Sequence, residues 1–118
     1  MDGGNAQAVN AWVAVCAVDD IWPNIGVCAL VNGRQIAVFR VLQAEGERFY
    51  AIDNYDPQSE ANVLSRGLVG SLNGRVVVAS PIYKQHFDLV TGECLEDAST
   101  PIGAYAVKLA DGQVWVAA

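Results

Sequence analysis

Three dipeptides, Asn32-Gly33, Asn73-Gly74 and Asp111-Gly112, interrupt runs of apolar and β-branched residues. Each supplies the two residues of positive φ that a type I′ turn needs, and that turn has the twist to join antiparallel strands. The flanking runs therefore read as hairpins: Val27 to Val31 with Arg34 to Leu42, and Tyr105 to Leu109 with Val114 to Ala117, while Asn73-Gly74 introduces Arg75 to Ser80. Trp12 to Cys16 reads as a first strand, and Asp20 to Gly26 as a loop, because Pro23 and Gly26 punctuate it. Glu45-Gly46-Glu47 turns the chain into Phe49 to Asp53, and Thr91-Gly92 separates His86 to Leu89 from Glu93 to Leu95. No segment holds a helical period. The chain is expected to be all-β, a sandwich or barrel of short antiparallel strands with a long loop and at most one short helix.

The long irregular segment runs from Asn54 to Leu72. Within it Ser59 to Leu64 reads as a single helical turn, with Ser59 as N-cap and Glu60 in the first turn. Loops of this length inside a small domain tend to carry function.

The 118 residues suffice for one core, so residues 11–118 are expected to form a single domain and residues 1–10 a frayed tail. That tail carries an acid and no Lys or Arg, unlike a secretory signal. Thirteen acidic against seven basic residues leave the chain at −6, which argues against nucleic acid as a partner. The longest apolar stretch, Trp12 to Val18, is too short to cross a bilayer as a helix. Cys16, Cys28 and Cys94 lack C-x-x-C spacing and fit reduced thiols of a cytoplasmic protein, with Cys16 and Cys28 read as small buried hydrophobes. A single His excludes, within this chain, an iron–sulfur centre held by two Cys and two His.

Two segments carry a resemblance: YAIDNYDPQSEANVLSRG, from Tyr50 to Gly67, and VVVASPIYKQHFDLVTGECLED, from Val76 to Asp97. They are similar to the two loops of a Rieske domain, in which one strand leads into C-P-H-x-x-x-x-L and a later strand into C-P-x-H followed by an F-D-x-x-T-G turn. Asp56-Pro57-Gln58 falls on the first motif and Ser80-Pro81-Ile82-Tyr83 on the second, with both prolines and the Phe87 to Gly92 turn kept. All four ligand positions differ. Asp56, Gln58, Ser80 and Tyr83 offer a carboxylate, an amide, a hydroxyl and a phenol where a [2Fe–2S] centre of this type needs two thiolates and two imidazoles. These four side chains are expected to form a polar network in place of the metal bridge.

The particular departures, SRG after the first loop, ASP-x-Y-K-Q-H-F in the second and G-x-CLED after the turn, resemble the small subunits of assimilatory NAD(P)H-dependent nitrite reductases. The resemblance implies a partner, the large subunit, in which FAD, siroheme and an iron–sulfur cluster carry electrons from NAD(P)H to nitrite. It implies no cofactor, metal or catalytic residue in this chain, which also lacks the G-x-G-x-x-G of a dinucleotide site. Candidate docking residues are Tyr55, Arg66, Tyr83, Lys84 and His86 around the two loops, with Trp22 in the DIWPNIG loop. The same residues also read as solvated or core-capping side chains. Three competing functions stand beside this one: a Rieske-type electron carrier with atypical ligands, a hydrolase using Ser80, His86 and Asp88, and an unrelated ligand-binding β module.

Overall fold

The computed structural model describes residues 11–118, and the tail expected over residues 1–10 lies outside them. Eleven strands are present among the described residues: β1 (Trp12–Ala17), β2 (Ile25–Val31), β3 (Arg34–Gln43), β4 (Gly46–Asp53), β5 (Tyr55–Asp56), β6 (Ala61–Asn62), β7 (Leu68–Leu72), β8 (Arg75–Ala79), β9 (His86–Asp88), β10 (Ala104–Ala110) and β11 (Gln113–Ala117). Six of them form an antiparallel, barrel-like sheet in the order β1-β11-β10-β4-β3-β2. A second sheet, β9-β8-β7, packs on it, and β5 pairs with β6.

The period of two along β3 explains the two layers. Ile36 and Val38 point into the barrel with Ala51, Val114 and Val116, whereas Ala37, Phe39 and Val41 face the small sheet and meet Val78 and Phe87. Ala51 and Ile52 divide β4 between the same two cores. A strand buried on both faces reads as a continuous apolar run, as Ile36 to Phe39 does.

All three expected I′ dipeptides make their turns. Asn32, Asn73 and Asp111 have φ of 52°, 54° and 55°, each followed by a positive-φ glycine. Three expectations change. Leu68–Leu72, read as irregular, is a strand, because the Asn73-Gly74 turn folds it back on β8 in register from Leu72↔Arg75 to Leu68↔Ala79. Ser59 to Leu64 is not a helical turn. Glu60 takes φ 55° so that Tyr55–Asp56 can pair with Ala61–Asn62, the Ser59 hydroxyl is taken by Asp56, and the short 3-10 turns lie at Val18–Asp20 and Leu64–Arg66. Glu93 to Leu95 forms a single bridge, Phe87↔Cys94, rather than a strand.

The thiols also sort differently from the expectation. Cys94 is buried and Cys16 half-buried, but Cys28 is exposed. It lies on β2, which pairs with β3 alone among the described residues and alternates exposed with half-buried side chains.

Candidate functional site

The first loop leaves β4 at Asn54, whose short amide side chain makes it a junction. Its backbone N–H donates to the Gln35 carbonyl (3.1 Å) and its carbonyl accepts from Leu64 N–H (3.1 Å). Its Oδ1 accepts from Ser65 N–H (2.7 Å) and its Nδ2 donates to Gln35 Oε1 (3.1 Å). Both ends of the loop are thereby held to β3. In sequence the only trace of this role is an Asn directly after a strand.

The second loop leaves β8 at Ser80 and closes on itself, with Ser80 N–H donating to the Gln85 carbonyl (2.8 Å) and Lys84 N–H to the Ser80 carbonyl (3.1 Å). Lys84 completes the turn at φ 67°. The two tips meet through side chains. Ser80 Oγ donates to Asp56 Oδ2 at 2.6 Å, and both residues are 0% exposed. Asp56 also accepts from Ser59 Oγ (2.9 Å) and Gln58 N–H (2.9 Å). A buried carboxylate must have such donors, since an unpaired one would cost several kcal/mol.

Of the four positions expected to form one network, two do so directly. Gln58 joins Asp56 through its backbone, while its side chain donates to Asp97 Oδ2 and Thr100 Oγ1, both at 3.1 Å. Tyr83 stands outside: it is 60% exposed and no described residue hydrogen-bonds its hydroxyl. A short Ser hydroxyl reaches Asp56, and the turn at Lys84 directs the Tyr83 ring to solvent.

This donor set does not fit a [2Fe–2S] cluster. Such a cluster is held by soft thiolate and imidazole donors, and here the two central positions are hard oxygens already hydrogen-bonded to each other. The three thiols lie on β1, on β2 and beside Phe87, away from both tips, and no group of three or more metal-ligating side chains occurs among the described residues.

Nor does a Ser-His-Asp triad assemble. Ser80 is committed to Asp56, Asp88 Oδ2 accepts from Arg75 Nε (2.6 Å), and His86 Nδ1 lies 2.6 Å from Glu96 Oε2 while His86 N–H donates to Glu96 Oε1 (2.8 Å). Burial pushes the Glu96 carboxyl up, but the contacts from His86 outweigh it and hold it below the usual carboxylate range. Asp88 follows the same logic. Burial raises it, and the N–H groups of Thr91 and Val90, with the Arg75 guanidinium, bring it down overall.

The paired tips present apolar and cationic side chains outward, together with one exposed carboxylate side chain, Glu60. Tyr55, Ile82 and Tyr83 are exposed at the two tips, and Arg66 and Lys84 form no ion pair among the described residues. His86 lies level with Leu68 across Ala79, on the small sheet. Trp22, 76% exposed, is on the β1–β2 connection, which Asn24 N–H anchors to the Arg40 carbonyl. Among the described residues no polar contact joins it to either loop.

A two-layer β domain with a pair of strand-end loops, closed tip to tip, is the class that this geometry defines. The Rieske-like [2Fe-2S] domain family matches it over residues 11–117. The nitrite reductase (NADH) small subunit of Salmonella typhimurium is 43% identical over 90% of this chain and 96% of its own length. The solved structure of the E. coli protein NirD superposes with a TM-score of 0.81 at 41% identity, covering 91% of this chain and 96% of that one. A stretch amounting to 12% of the Klebsiella oxytoca nitrite reductase [NAD(P)H] large subunit is 44% identical to 97% of this chain. The chain belongs to the nitrite reductase small subunits within the Rieske-like family.

Proposed function

We propose that this chain is the non-catalytic small subunit of an assimilatory NAD(P)H-dependent nitrite reductase, and that it docks on the flavin- and siroheme-bearing large subunit through its paired loop tips. The observation that carries this reading is the buried Asp56–Ser80 hydrogen bond. It occupies the place where an electron-carrying relative would hold its cluster and ties the two tips without a metal. A domain built this way keeps the surface and gives up the redox centre. Exposed Tyr55, Ile82 and Tyr83 with Lys84, and Arg66 on the Leu64–Arg66 turn, include the aromatic and Arg types that anchor protein interfaces. The similarity to a stretch of a large-subunit chain supports the same partner, since there the two parts belong to one polypeptide. With mutually hydrogen-bonded hard oxygens at the two central positions, this reading has the chain act by orienting or stabilising its partner.

Co-expression with the large subunit from the same cell tests this reading. The two chains are expected to co-purify, and removal of the small one to lower NAD(P)H-dependent nitrite consumption or shorten the lifetime of the large one. A large subunit that neither binds this chain nor changes in turnover or stability overturns the proposal.

A further inference from the structure

The small sheet leaves one edge open. β8 is paired on both sides, but β7 pairs with β8 alone among the described residues. With φ of 54° and 75°, Asn73 and Gly74 make a type I′ turn, whose flanking pair, Leu72 and Arg75, exchanges both hydrogen bonds. Antiparallel alternation then gives the same exchange to Gly70↔Val77 and Leu68↔Ala79. The N–H and C=O groups of Val69 and Ser71 are therefore turned away from β8. Phasing on the far side of β8 agrees, because the Val76 carbonyl accepts from Leu89 N–H (3.0 Å) beside β9. The strand reads LVGSL, with no charge and no proline. Those are the usual guards of an exposed edge.

A cleft of about 520 Å³ opens beside this strand. Val69, Gly70 and Ser71 form one wall, and the end of β3 with its turn, from Val41 to Glu45, forms the other. The volume lies within the roughly 300–1,000 Å³ of ordinary ligand sites, and five residues of strand present about 17 Å of edge. Val41 and Val76 supply an apolar floor, and Glu45 is the one charged lining residue. The β3–β4 turn walls off the edge from another folded sheet, whereas a single extended chain can enter. Two copies of this chain, each at −6, would bring one Glu45 toward the other.

We propose that β7 accepts an extended segment of the large subunit as an added strand, hydrogen-bonded to the backbone of Val69 and Ser71. One of its apolar side chains packs on Val41 and Val76, and a Lys or Arg faces Glu45. This rests on the docking reading above and adds a second contact, distinct from the loop tips. Main-chain pairing supplies affinity in such strand addition, and the side-chain contacts supply specificity.

The test uses the complex of the full chain with the large subunit, with amide exchange resolved by residue and affinity measured for two variants. In the complex the amides of Val69 and Ser71 are expected to exchange at least tenfold more slowly than in the free chain, while Gly70 and Leu72, already bonded to β8, change little. Ser71→Pro removes an outward donor without breaking the β8 ladder, and Glu45→Lys reverses the rim charge at an exposed turn. Each is expected to weaken binding at least tenfold, and Glu45→Lys keeps the test intact if the proline variant fails to fold. A complex in which Val69 and Ser71 exchange as in the free chain overturns the added strand and leaves tip docking standing. Protection already present in the free chain, or growing with its concentration, assigns the edge to this chain itself or to a second copy and overturns the proposal. Failure to form any complex overturns both readings.

Discussion

Asp56 and Ser80 lie 24 residues apart in the chain, yet their side chains meet at 2.6 Å with no solvent exposure at either residue. One hydrogen bond thus joins two loops that, in cluster-bearing members of the fold class, a metal centre would join. The carboxylate is shared among Ser80, Ser59 and the Gln58 N–H, so it acts as the hub of the tip.

Replacing Asp56 by Ala leaves one buried donor, the Ser80 hydroxyl, and two part-buried ones, the Ser59 hydroxyl and the Gln58 N–H, without their acceptor. Each unsatisfied group costs about 1–3 kcal/mol, with partial relief from rearrangement or entering water, so a loss of about 2–4 kcal/mol is expected. Urea unfolding with an unchanged m-value checks it. Tyr83→Phe, by contrast, is expected to stay within about 0.5 kcal/mol of the parent, because its hydroxyl has no described partner.

Anaerobic reconstitution with iron and sulfide is expected to leave the chain without a stoichiometric cluster. The oxygens of Asp56 and Ser80 already satisfy one another and donate poorly to an iron–sulfide core. Stoichiometric iron and sulfide with the visible spectrum of a [2Fe–2S] centre would contradict this.

The docking surface is expected to respond separately from the fold. Tyr83→Ala combined with Lys84→Glu changes two exposed tip residues and removes an aromatic anchor and a cation. Affinity for the large subunit is expected to fall at least tenfold, about 1.4 kcal/mol, with Tm unchanged. Surface plasmon resonance and thermal melting distinguish this from unfolding.

Stability is expected to decline on the acid side through Asp88 and Glu96. Burial raises the Asp88 carboxyl, but the Thr91 and Val90 N–H groups and Arg75 bring it below its ordinary value. A carboxyl depressed in the folded chain adds stability above its unfolded pKa, about 3.9, and that stability is lost as pH falls through the folded value. Asp88→Asn should flatten the fall in stability from about pH 5 downward, read by urea titrations across that range.

Native-state alkylation is expected to modify Cys28 first, Cys16 more slowly and Cys94 last. Cys28 is exposed and Cys94 is buried against Phe87. Burial pushes the Cys16 thiol up, with Asp20 adding to the rise, which lowers its thiolate fraction. Mass spectrometry over a time course would reveal any other order.

Much of the β framework was legible in local text, because a type I′ turn needs positive φ at two adjacent residues and Asn-Gly or Asp-Gly tolerates it at Asn32, Asn73 and Asp111. The changed ligand positions were equally legible, as Asp56, Gln58, Ser80 and Tyr83 stand beside the retained prolines. Residue type alone did not say which of them interact. Asp56 and Ser80 do so because the β4 and β8 ends converge, Gln58 turns instead to Asp97 and Thr100, and Tyr83 turns outward. The junction at Asn54 was equally hidden, since its partners Gln35 and Ser65 come from segments on either side of it. Turns and strand periods depend on neighbours in the chain, and the sequence by itself determined them. Burial, side-chain pairing and the open edge of β7 depend on which distant segments pack together, and only the tertiary structure decided those.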